Sequence, residues 1–466
     1  MFKDEKNHSV LLLCLTIIFT IMISYIPADT KILNYQLKKI DLFMDIKPDS
    51  LMDFSQFKFG QKPLTANLFS ASMNKDILEG LLAYTKTLPS ELNEANNEVQ
   101  IKNIPLSGNV SQMNYFFQAL KQAKSKKVRI ADYGDSGNEG DLITADIRER
   151  FQSEFSGNGV GMMAITSQDI TFRVTTKHSF SDNWKTVSVL TGKEGDIPIG
   201  LNGFVSIPQG VAWVQYETKG PYKNSKYFTS AKVYYTNAKA SSIKYSFNNG
   251  AEQTATLQAG SGVKELVLSA SGNATSFKMT TTMAYQAQFF GVSLESGNGV
   301  YVDNYPWRGN SGVSFKDIPD FVKKDFQKYL DYKLLILTYG ANMMTAGNIN
   351  FTWYENQMIK VIQDLKTYFP QTSILLVGMG DRVTKRGSRM FTDPNVYKMH
   401  QSQKNIVNAT GITYWDKFDA MGGENSMLDW VNSNLASKDY GHLNELGAKK
   451  MAGMVSDLLI DEYRKK

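Results

Sequence analysis

The chain changes its residue pattern twice, and these changes restrict its fold more than any other feature. Between about residues 172 and 290 it consists of short runs such as VAWVQYET, YFTSAKVYYT and KELVLSA, rich in β-branched and aromatic residues and separated by Gly, Asn and Ser. Regular short strands with turn signals between them predict an all-β sandwich. On both sides of this segment, strand-like apolar runs alternate with helix-like runs, which predicts a parallel sheet covered by helices on both faces.

The length of 466 residues is more than one domain normally occupies. We therefore expect one α/β domain that is interrupted by the β-sandwich. The predicted segments are a signal anchor at 1–28, a stalk or N-terminal extension at 29–104, the first part of the α/β domain at 105–171, the sandwich insert at 172–290 and the second part of the α/β domain at 291–466.

The apolar run VLLLCLTIIFTIMISYI, from Val10 to Ile26, has a length between that of a secretory signal and that of a full membrane span. No small-residue cleavage site follows it, so we expect an uncleaved anchor in the cytoplasmic membrane; a cleaved signal peptide is the alternative. The protein would then be exported and face the periplasm or the cell exterior. The single cysteine, Cys14, lies inside this run, so the rest of the chain has neither disulfides nor thiolate metal sites.

The charge distribution, the histidines and the order of the glycines argue against a nucleic-acid partner, a metal site and a bound cofactor. The net charge is +6, but the basic residues are scattered and no nucleic-acid-binding motif is present. His178 and His400 have no cluster of ligands near them in the sequence, and we expect no metal. The glycines of GNGVGMM at 157–163 follow a helix-like run and precede a strand-like run, the reverse of the order in a dinucleotide-binding loop, and we expect no cofactor.

Ser136 lies in the stretch VRIADYGDSGNEGD, where an apolar strand ends in a glycine-rich turn before a helix-like run. Ligands of open parallel sheets bind at the carboxyl ends of the strands, so this serine is a candidate nucleophile. A serine hydroxyl is a weak nucleophile unless a base lies within reach.

His442 is the best candidate for that base among the four histidines of the chain. It lies in a loop before the last helix-like run, and Asp439 precedes it by three residues in SKDYGHLNELG. A short loop can place the two side chains so that the aspartate holds one imidazole nitrogen while the other faces Ser136.

Hydrolysis by a serine also needs hydrogen-bond donors for the oxyanion of the intermediate. Asn342, in LTYGANMM, follows a strand that ends at Tyr339, so its amide would emerge at an edge of the sheet. Gly159 and Gly161, in GNGVGMM, form a small-residue turn whose backbone N–H groups a ligand can approach closely.

The residues GDS at 134–136, Gly161, G-x-N at 340–342 and D-x-x-H at 439–442 occur in the order of the SGNH (GDSL-type) hydrolases, and the chain resembles that family over about 110–172 and 290–466. The resemblance implies a flavodoxin-like sheet and a Ser-His-Asp triad.

The resemblance also implies a role for each of these residues. Ser136 would be the nucleophile, His442 the general base and Asp439 the residue that orients it. The backbone N–H groups of Ser136 and Gly161, together with Asn342, would form the oxyanion hole.

Within that superfamily the chain is most similar to bacterial peptidoglycan O-acetylesterases, which carry an inserted β-sandwich like that of a carbohydrate-binding module. The phrases VRIADYGDS, GDLIT, GVGMM and GVSLESGNGVYVDN carry this likeness. The chain departs from the pattern at YGANMM, where that branch more often has YGTNE, and the segment WRGNSG at 307–312 has no assigned role. The resemblance implies a serine esterase that removes O-acetyl groups from a cell-envelope glycan, with peptidoglycan favoured.

Three alternatives stay open at the level of sequence: an O-acetyltransferase with the same triad, a lipase or lysophospholipase of the same superfamily, and a non-catalytic glycan-binding protein. Aromatic residues of the insert, such as Trp213, Tyr216, Tyr222 and Tyr227, can stack on sugars, although alternating aromatics in strands more often form a core.

Overall fold

The structure is a computed structural model that describes residues 99–168, 170–171, 173–282, 287–345 and 349–466, together with the backbone of two short antiparallel strands at 31–32 and 35–36. The chain divides into two units, Met1–Thr87 and Leu88–Lys466, and the sheets, helices and site described below belong to the second, apart from the two short strands at 31–32 and 35–36. The predicted anchor at 1–28 and nearly all of the predicted stalk at 29–104 lie outside the described residues. Within the described part of the chain, no helix is long and apolar enough to cross a membrane.

The strands are numbered in chain order. They are β1 (Lys31–Ile32), β2 (Tyr35–Gln36), β3 (Ser107–Gly108), β4 (Lys127–Gly134), β5 (Asn158–Met163), β6 (Thr176–Phe180), β7 (Trp184–Ser188), β8 (Phe204–Pro208), β9 (Trp213–Thr218), β10 (Phe228–Thr236), β11 (Ser241–Phe247), β12 (Gln253–Leu257), β13 (Lys264–Ala274), β14 (Ser276–Thr281), β15 (Gln288–Ser296), β16 (Gly299–Pro306), β17 (Tyr332–Thr338), β18 (Ser373–Val377), β19 (Val383–Arg386), β20 (Arg389–Thr392) and β21 (Thr413–Trp415).

The helices are numbered in the same way. They are α1 (Asn114–Leu120), α2 (Thr144–Phe155), α3 (Asp320–Leu330), α4 (Phe351–Tyr368), α5 (Pro394–Thr410), α6 (Lys417–Met421), α7 (Ser426–Asn432) and α8 (Glu445–Arg464).

A six-stranded sheet forms the centre of the α/β part, in the order β16-β4-β17-β18-β21-β3. All neighbours are parallel except the short edge strand β3, which is antiparallel to β21. Counted along the chain, the five parallel strands have the order 2-1-3-4-5, which is that of the flavodoxin-like fold. The predicted parallel sheet and its flavodoxin-like order are confirmed.

Helices cover both faces of this sheet because successive side chains of a strand point to opposite faces. Ala131 and Tyr133 of β4 pack in one hydrophobic cluster with α3, α4 and α5. Val128 and Ile130 of the same strand pack in a second cluster with α1, α2 and α8. The continuous apolar run of β4 is therefore that of a strand buried on both faces.

The segment that the sequence assigns to a sandwich forms two antiparallel sheets. One has the order β13-β10-β15-β8-β7, with β5 also paired to β15, and the other has the order β12-β11-β14-β9-β6. A separate hydrophobic cluster, including Val214, Val233, Phe277 and Val292, fills the space between them. The alternating strand pattern thus corresponds to side chains that point alternately into this core and out of it.

The strand β5 connects the two parts of the fold. It follows α2 of the α/β part, yet it pairs antiparallel with β15 of the sandwich, with Leu294 opposite Gly161. Gly159 permits this close approach, since a Cβ there would lie 2.2 Å from the Leu294 carbonyl oxygen. β5 and β15 together extend the sandwich sheet past the expected limits of the insert, and the domain boundaries themselves stay predictions.

A buried ion pair joins the same two parts. Arg129 of β4 and Glu295 of β15 are both almost fully buried, and the guanidinium donates a hydrogen bond to the carboxylate. Burial alone would raise the pKa of Glu295, but Arg129, Lys127 and Lys232 together hold it well below its ordinary value. The carboxylate is therefore ionised and balances cations from both parts of the fold.

We predict that Glu295→Ala strongly destabilises the protein, because it leaves the Arg129 charge buried without this carboxylate. The free energy of unfolding should fall by about 3–5 kcal/mol. Urea unfolding followed by circular dichroism measures this change. The control is Glu217→Ala, which removes the half-buried partner of the exposed Lys177 and should change the free energy by less than about 1 kcal/mol. Equal unfolding midpoints for the two variants would show that the pair does not hold the two parts together.

Candidate active site

Ser136 lies where β4 leaves the parallel sheet. The strand ends at Gly134, and residues Ser136–Asp141 form a short 3₁₀ segment before α2 begins. The side chain of Asp135 caps this segment by accepting a hydrogen bond of 2.9 Å from the Gly137 N–H. Gly134 must lack a side chain, because a Cβ would lie 2.5 Å from the Asn138 side chain. The turn therefore presents the Ser136 hydroxyl at the carboxyl edge of the sheet.

Ser136, His442 and Asp439 form one chain of hydrogen bonds, although the serine is about 300 residues away from the other two. The Ser136 Oγ lies 2.9 Å from the His442 Nε2, and the His442 Nδ1 lies 2.6 Å from the Asp439 Oδ2. This is the arrangement of nucleophile, base and orienting carboxylate found in Ser-His-Asp hydrolases. The structure thus brings together the three residues that the sequence singles out.

The loop that carries Asp439 and His442 is fixed by its own hydrogen bonds. The Asp439 Oδ1 accepts from the N–H groups of Gly441 and His442, at 3.0 and 3.1 Å. The Ser437 N–H donates to the His442 carbonyl at 2.8 Å, which closes the loop. The carboxylate is thereby aimed at the imidazole before any ligand arrives.

The electrostatics of this pair suit a base that faces Ser136. The hydrogen bond to Asp439 is the main reason why the pKa of His442 is raised above its ordinary value. Burial alone would raise the pKa of Asp439, but hydrogen bonds from the His442 side chain and from the two N–H groups lower it to about 2. The ionised carboxylate therefore accepts the Nδ1 proton of His442 and leaves Nε2 to accept a proton from the serine.

Asn342 lies at the same edge of the sheet, in the 3₁₀ segment Ala341–Thr345 after β17. Its Nδ2 lies 3.0 Å from the Asp135 Oδ2 and 3.0 Å from the Asn310 carbonyl oxygen. Since Asp135 directly precedes Ser136, the Asn342 amide is held beside the turn that carries the serine. Asn342 therefore lies at an edge of the sheet, as expected for a residue that directly follows a strand.

Gly161 is not brought to this group. It lies within β5, and a Cβ there would be 2.2 Å from the Asp303 Oδ1. Asp303 is opposite Ala131 in the parallel register, three residues and about 10 Å before the end of β4 at Gly134. Close packing against β16 explains the glycine, and the expected role of its N–H in an oxyanion hole is corrected.

The segment WRGNSG at 307–312, unlike Gly161, lies at the edge of the sheet beside the end of β4. It follows β16, whose last residue Pro306 is opposite Gly134. The Trp307 N–H donates to the Gly134 carbonyl at 2.7 Å, and the Asn310 carbonyl accepts from Asn342. Gly309 has a φ of +74° and faces open space, with no atom within 4 Å of a Cβ there.

A rule of sheet topology could have found this segment from the sequence. In a flavodoxin-like sheet the second strand lies beside the first, so the segment after the second strand leaves the sheet at the same edge as the Ser136 turn. The run GVYVDNYP reads as a strand and could have been placed beside β4, so that the glycine-containing segment after it would have been the candidate.

Several other residues singled out by sequence are hydrogen-bonded within the fold. Tyr216 is fully buried and donates to the Ala164 carbonyl, which agrees with a core role, and Tyr222 donates to Asp146. His178 and His400 are buried and each has an Nε2 hydrogen-bonded to a backbone carbonyl. Among the described residues, no group of three or more His, Cys, Asp or Glu side chains could hold a metal ion.

Comparisons with known proteins relate this geometry to one fold. No protein-family model matches the chain, and no curated protein matches its sequence. A solved structure described as "Peptidoglycan O-acetylesterase in action" matches 78% of this chain and 99% of its own, with 20% identity and a TM-score of 0.65.

Two further solved structures match at a greater distance. A protein from Bacillus subtilis is 11% identical, covers 61% of this chain and 90% of its own and has a TM-score of 0.30. A family two carbohydrate esterase from Cellvibrio japonicus is 8% identical, covers 62% of this chain and 99% of its own and has a TM-score of 0.25. These two scores are too low to add to the argument. The first likeness shows that the chain has the SGNH hydrolase fold.

Proposed function

We propose that the protein is a serine esterase that removes O-acetyl groups from a cell-envelope glycan, with peptidoglycan as the preferred substrate. The observation that carries this proposal is the hydrogen-bonded chain from Ser136 through His442 to Asp439 at the carboxyl edge of the sheet. The fold shared with a peptidoglycan O-acetylesterase supports the choice of substrate.

In the proposed reaction the His442 Nε2 takes the proton of the Ser136 hydroxyl as its oxygen attacks the acetyl carbonyl carbon. The tetrahedral intermediate collapses, the bond to the sugar oxygen breaks, and that oxygen leaves with the proton from His442. Water then attacks the acetyl-serine while His442 takes its proton, and acetate and free serine are released. Asp439 stabilises the imidazolium that forms in each half of the cycle.

The proposed reaction also needs hydrogen-bond donors for the oxyanion beside the serine. We assign this role to the Ser136 N–H, to the Nδ2 of Asn342 and, in place of Gly161, to the N–H of Gly309. The Asn342 Nδ2 already donates to Asp135 and Asn310, so a developing oxyanion would take over one of its existing hydrogen bonds. The open space at Gly309 leaves its backbone accessible to a ligand.

The proposal also includes export of the protein and its attachment to the cytoplasmic membrane. An acetylated wall glycan lies outside the cytoplasm, and the apolar run from Val10 to Ile26 would export the protein and hold it at the membrane.

The first prediction from this proposal concerns acetate release by the full-length protein. Wild-type protein should release acetate from a small aryl acetate and from O-acetylated peptidoglycan, and Ser136→Ala should abolish both activities because no nucleophile remains. The control, Ser125→Ala, removes an exposed hydroxyl that bonds only its local turn and should leave the rates unchanged.

The possible outcomes test the catalytic site and the choice of substrate separately. Undiminished release by Ser136→Ala would contradict the assigned site. Release from the aryl ester alone would contradict peptidoglycan as the substrate. Acetate transferred to an added sugar instead of to water would identify an acetyltransferase that uses the same triad.

A second prediction concerns pH. Only neutral His442 accepts the serine proton, so kcat/KM should fall as the pH drops below the raised pKa of this histidine, which lies above the ordinary 6.5. Asp439→Asn removes the main cause of that raised pKa. The acidic limb of the pH–rate profile should therefore shift to lower pH, and the plateau should fall by a factor on the order of 10³–10⁴.

The matched control is Asp182→Asn, which changes an exposed carboxyl of the sandwich and should leave the profile where it is. An unchanged acidic limb in Asp439→Asn would mean that another group limits the reaction at low pH.

A further inference from the structure

The hairpin formed by β19 and β20 carries a local excess of positive charge. The segment RVTKRGSRMFT, at 382–392, contains four cationic side chains and no Asp or Glu. Three of these cations, Lys385, Arg386 and Arg389, are exposed at the tip of the hairpin, and we call them the tip cations. The basic residues of the chain are scattered over most of its length, so the hairpin stands out from the rest of the surface.

The register of the hairpin places two of these charges side by side. Arg386 and Arg389 are directly opposite each other across a two-residue turn at 387–388, where Gly387 has a φ of +63°. Side chains directly opposite in an antiparallel pair point to the same face, with their Cβ atoms about 5 Å apart, and like charges in this position destabilise the pair. An anion bound between the two guanidinium groups would relieve this repulsion.

No carboxylate in the described part of the chain forms an ion pair with the tip cations. The acidic residues that flank the hairpin in sequence are engaged by other groups. Asp381 accepts hydrogen bonds from the Thr392 hydroxyl and the Met427 N–H, at 2.9 and 2.8 Å. Asp393 caps α5 by accepting from the Asn395 N–H at 2.9 Å. The tip is therefore free to bind an anion from outside the chain.

The base of the hairpin is bonded to the loop that carries His442. The Val383 N–H donates to the carbonyl of Tyr440, two residues before His442, at 3.1 Å. Arg386 follows Val383 by three residues, which is about 10 Å at the rise of a strand. A long ligand that places one group at Ser136 can therefore place another at the tip of the hairpin.

We propose that the β19–β20 hairpin binds carboxylates on the peptides of peptidoglycan and thereby holds this polymer at the active site. The inference rests on the proposed function and adds a second contact, away from the ester. These peptides keep free carboxylates even though the lactyl carboxyl that joins them to the sugar is an amide. A polymer with several carboxylates engages several cations at once, so that weak single attractions combine. A small aryl acetate has no group that reaches the hairpin.

The test compares wild-type protein with a variant that combines Lys385→Gln, Arg386→Gln and Arg389→Gln. The measured quantity is kcat/KM for soluble O-acetylated peptidoglycan fragments divided by kcat/KM for an aryl acetate. This ratio should fall at least about tenfold in the variant, through a higher KM for the fragments. In wild-type protein it should also fall as NaCl is raised from about 0.05 to 0.5 M, because salt screens exposed charges, and the variant should lose this dependence.

The matched control removes three cations from another basic cluster by Lys121→Gln, Lys124→Gln and Lys126→Gln. These lysines are also exposed, but they precede β4 and so lie at the edge of the sheet opposite to Ser136. The control should keep the wild-type ratio and its salt dependence. Fragments whose carboxylates have been converted to amides should lower the ratio of wild-type protein to that of the hairpin variant.

Three results would overturn the proposal: a wild-type ratio in the hairpin variant, an equal loss in the lysine control, or an undiminished wild-type ratio on the amidated fragments. If wild-type protein cleaved neither the fragments nor the aryl acetate, the esterase function itself would fail, which is a different outcome.

Binding gives a readout that does not depend on hydrolysis. Ser136→Ala protein should sediment with insoluble peptidoglycan at low salt, and adding the three hairpin substitutions should weaken this binding at least about tenfold. Both proteins should melt at the same temperature, because the substituted side chains are exposed and form no ion pair in the described structure. Equal sedimentation of the two proteins would contradict the hairpin contact, whether or not the protein is an esterase.

Discussion

Parallel pairing between β4 and β16 is the constraint on which the site depends. About 165 residues separate the two strands in sequence, and the whole sandwich is inserted between them, yet Pro306 lies opposite Gly134. The segments that follow the two strands must therefore leave the sheet at the same edge. This brings Ser136 beside residues 307–312, and Asn342 bonds to both segments.

Contacts between side chains and between strands, in addition to the two chain connections, attach the sandwich to the α/β part. The Arg129–Glu295 pair and the β5–β15 ladder fix it against the parallel sheet, with buried charges at the contact. In this arrangement residues at the beginning of the insert lie close to the turn that carries Ser136, since the Val174 N–H donates to the Gly140 carbonyl.

Much of the fold and three residues of the site could be predicted from the sequence, because local patterns determine them. The apolar run before Ser136 has to be a buried strand, and the spacing of Asp439 and His442 lets one short loop orient both side chains. The sequence predicts Gly161 in the oxyanion hole, whereas it lies within β5. A glycine-rich stretch has the same sequence pattern whether it faces a ligand or a neighbouring strand. The strand order decides between these two possibilities, and it is set by pairings across the insert. The ion pair of Arg129 with Glu295 likewise joins positions whose proximity no local pattern encodes.

The central claim is that the Ser136 hydroxyl becomes acetylated during turnover. The most direct test mixes full-length protein with an aryl acetate, quenches with acid within the first turnovers and analyses the digested protein by mass spectrometry. The account predicts one added acetyl group on the peptide that contains Ser136, and its loss as substrate is exhausted. Steady acetate release with no acetyl group on that peptide, or with one on a different residue, would contradict it.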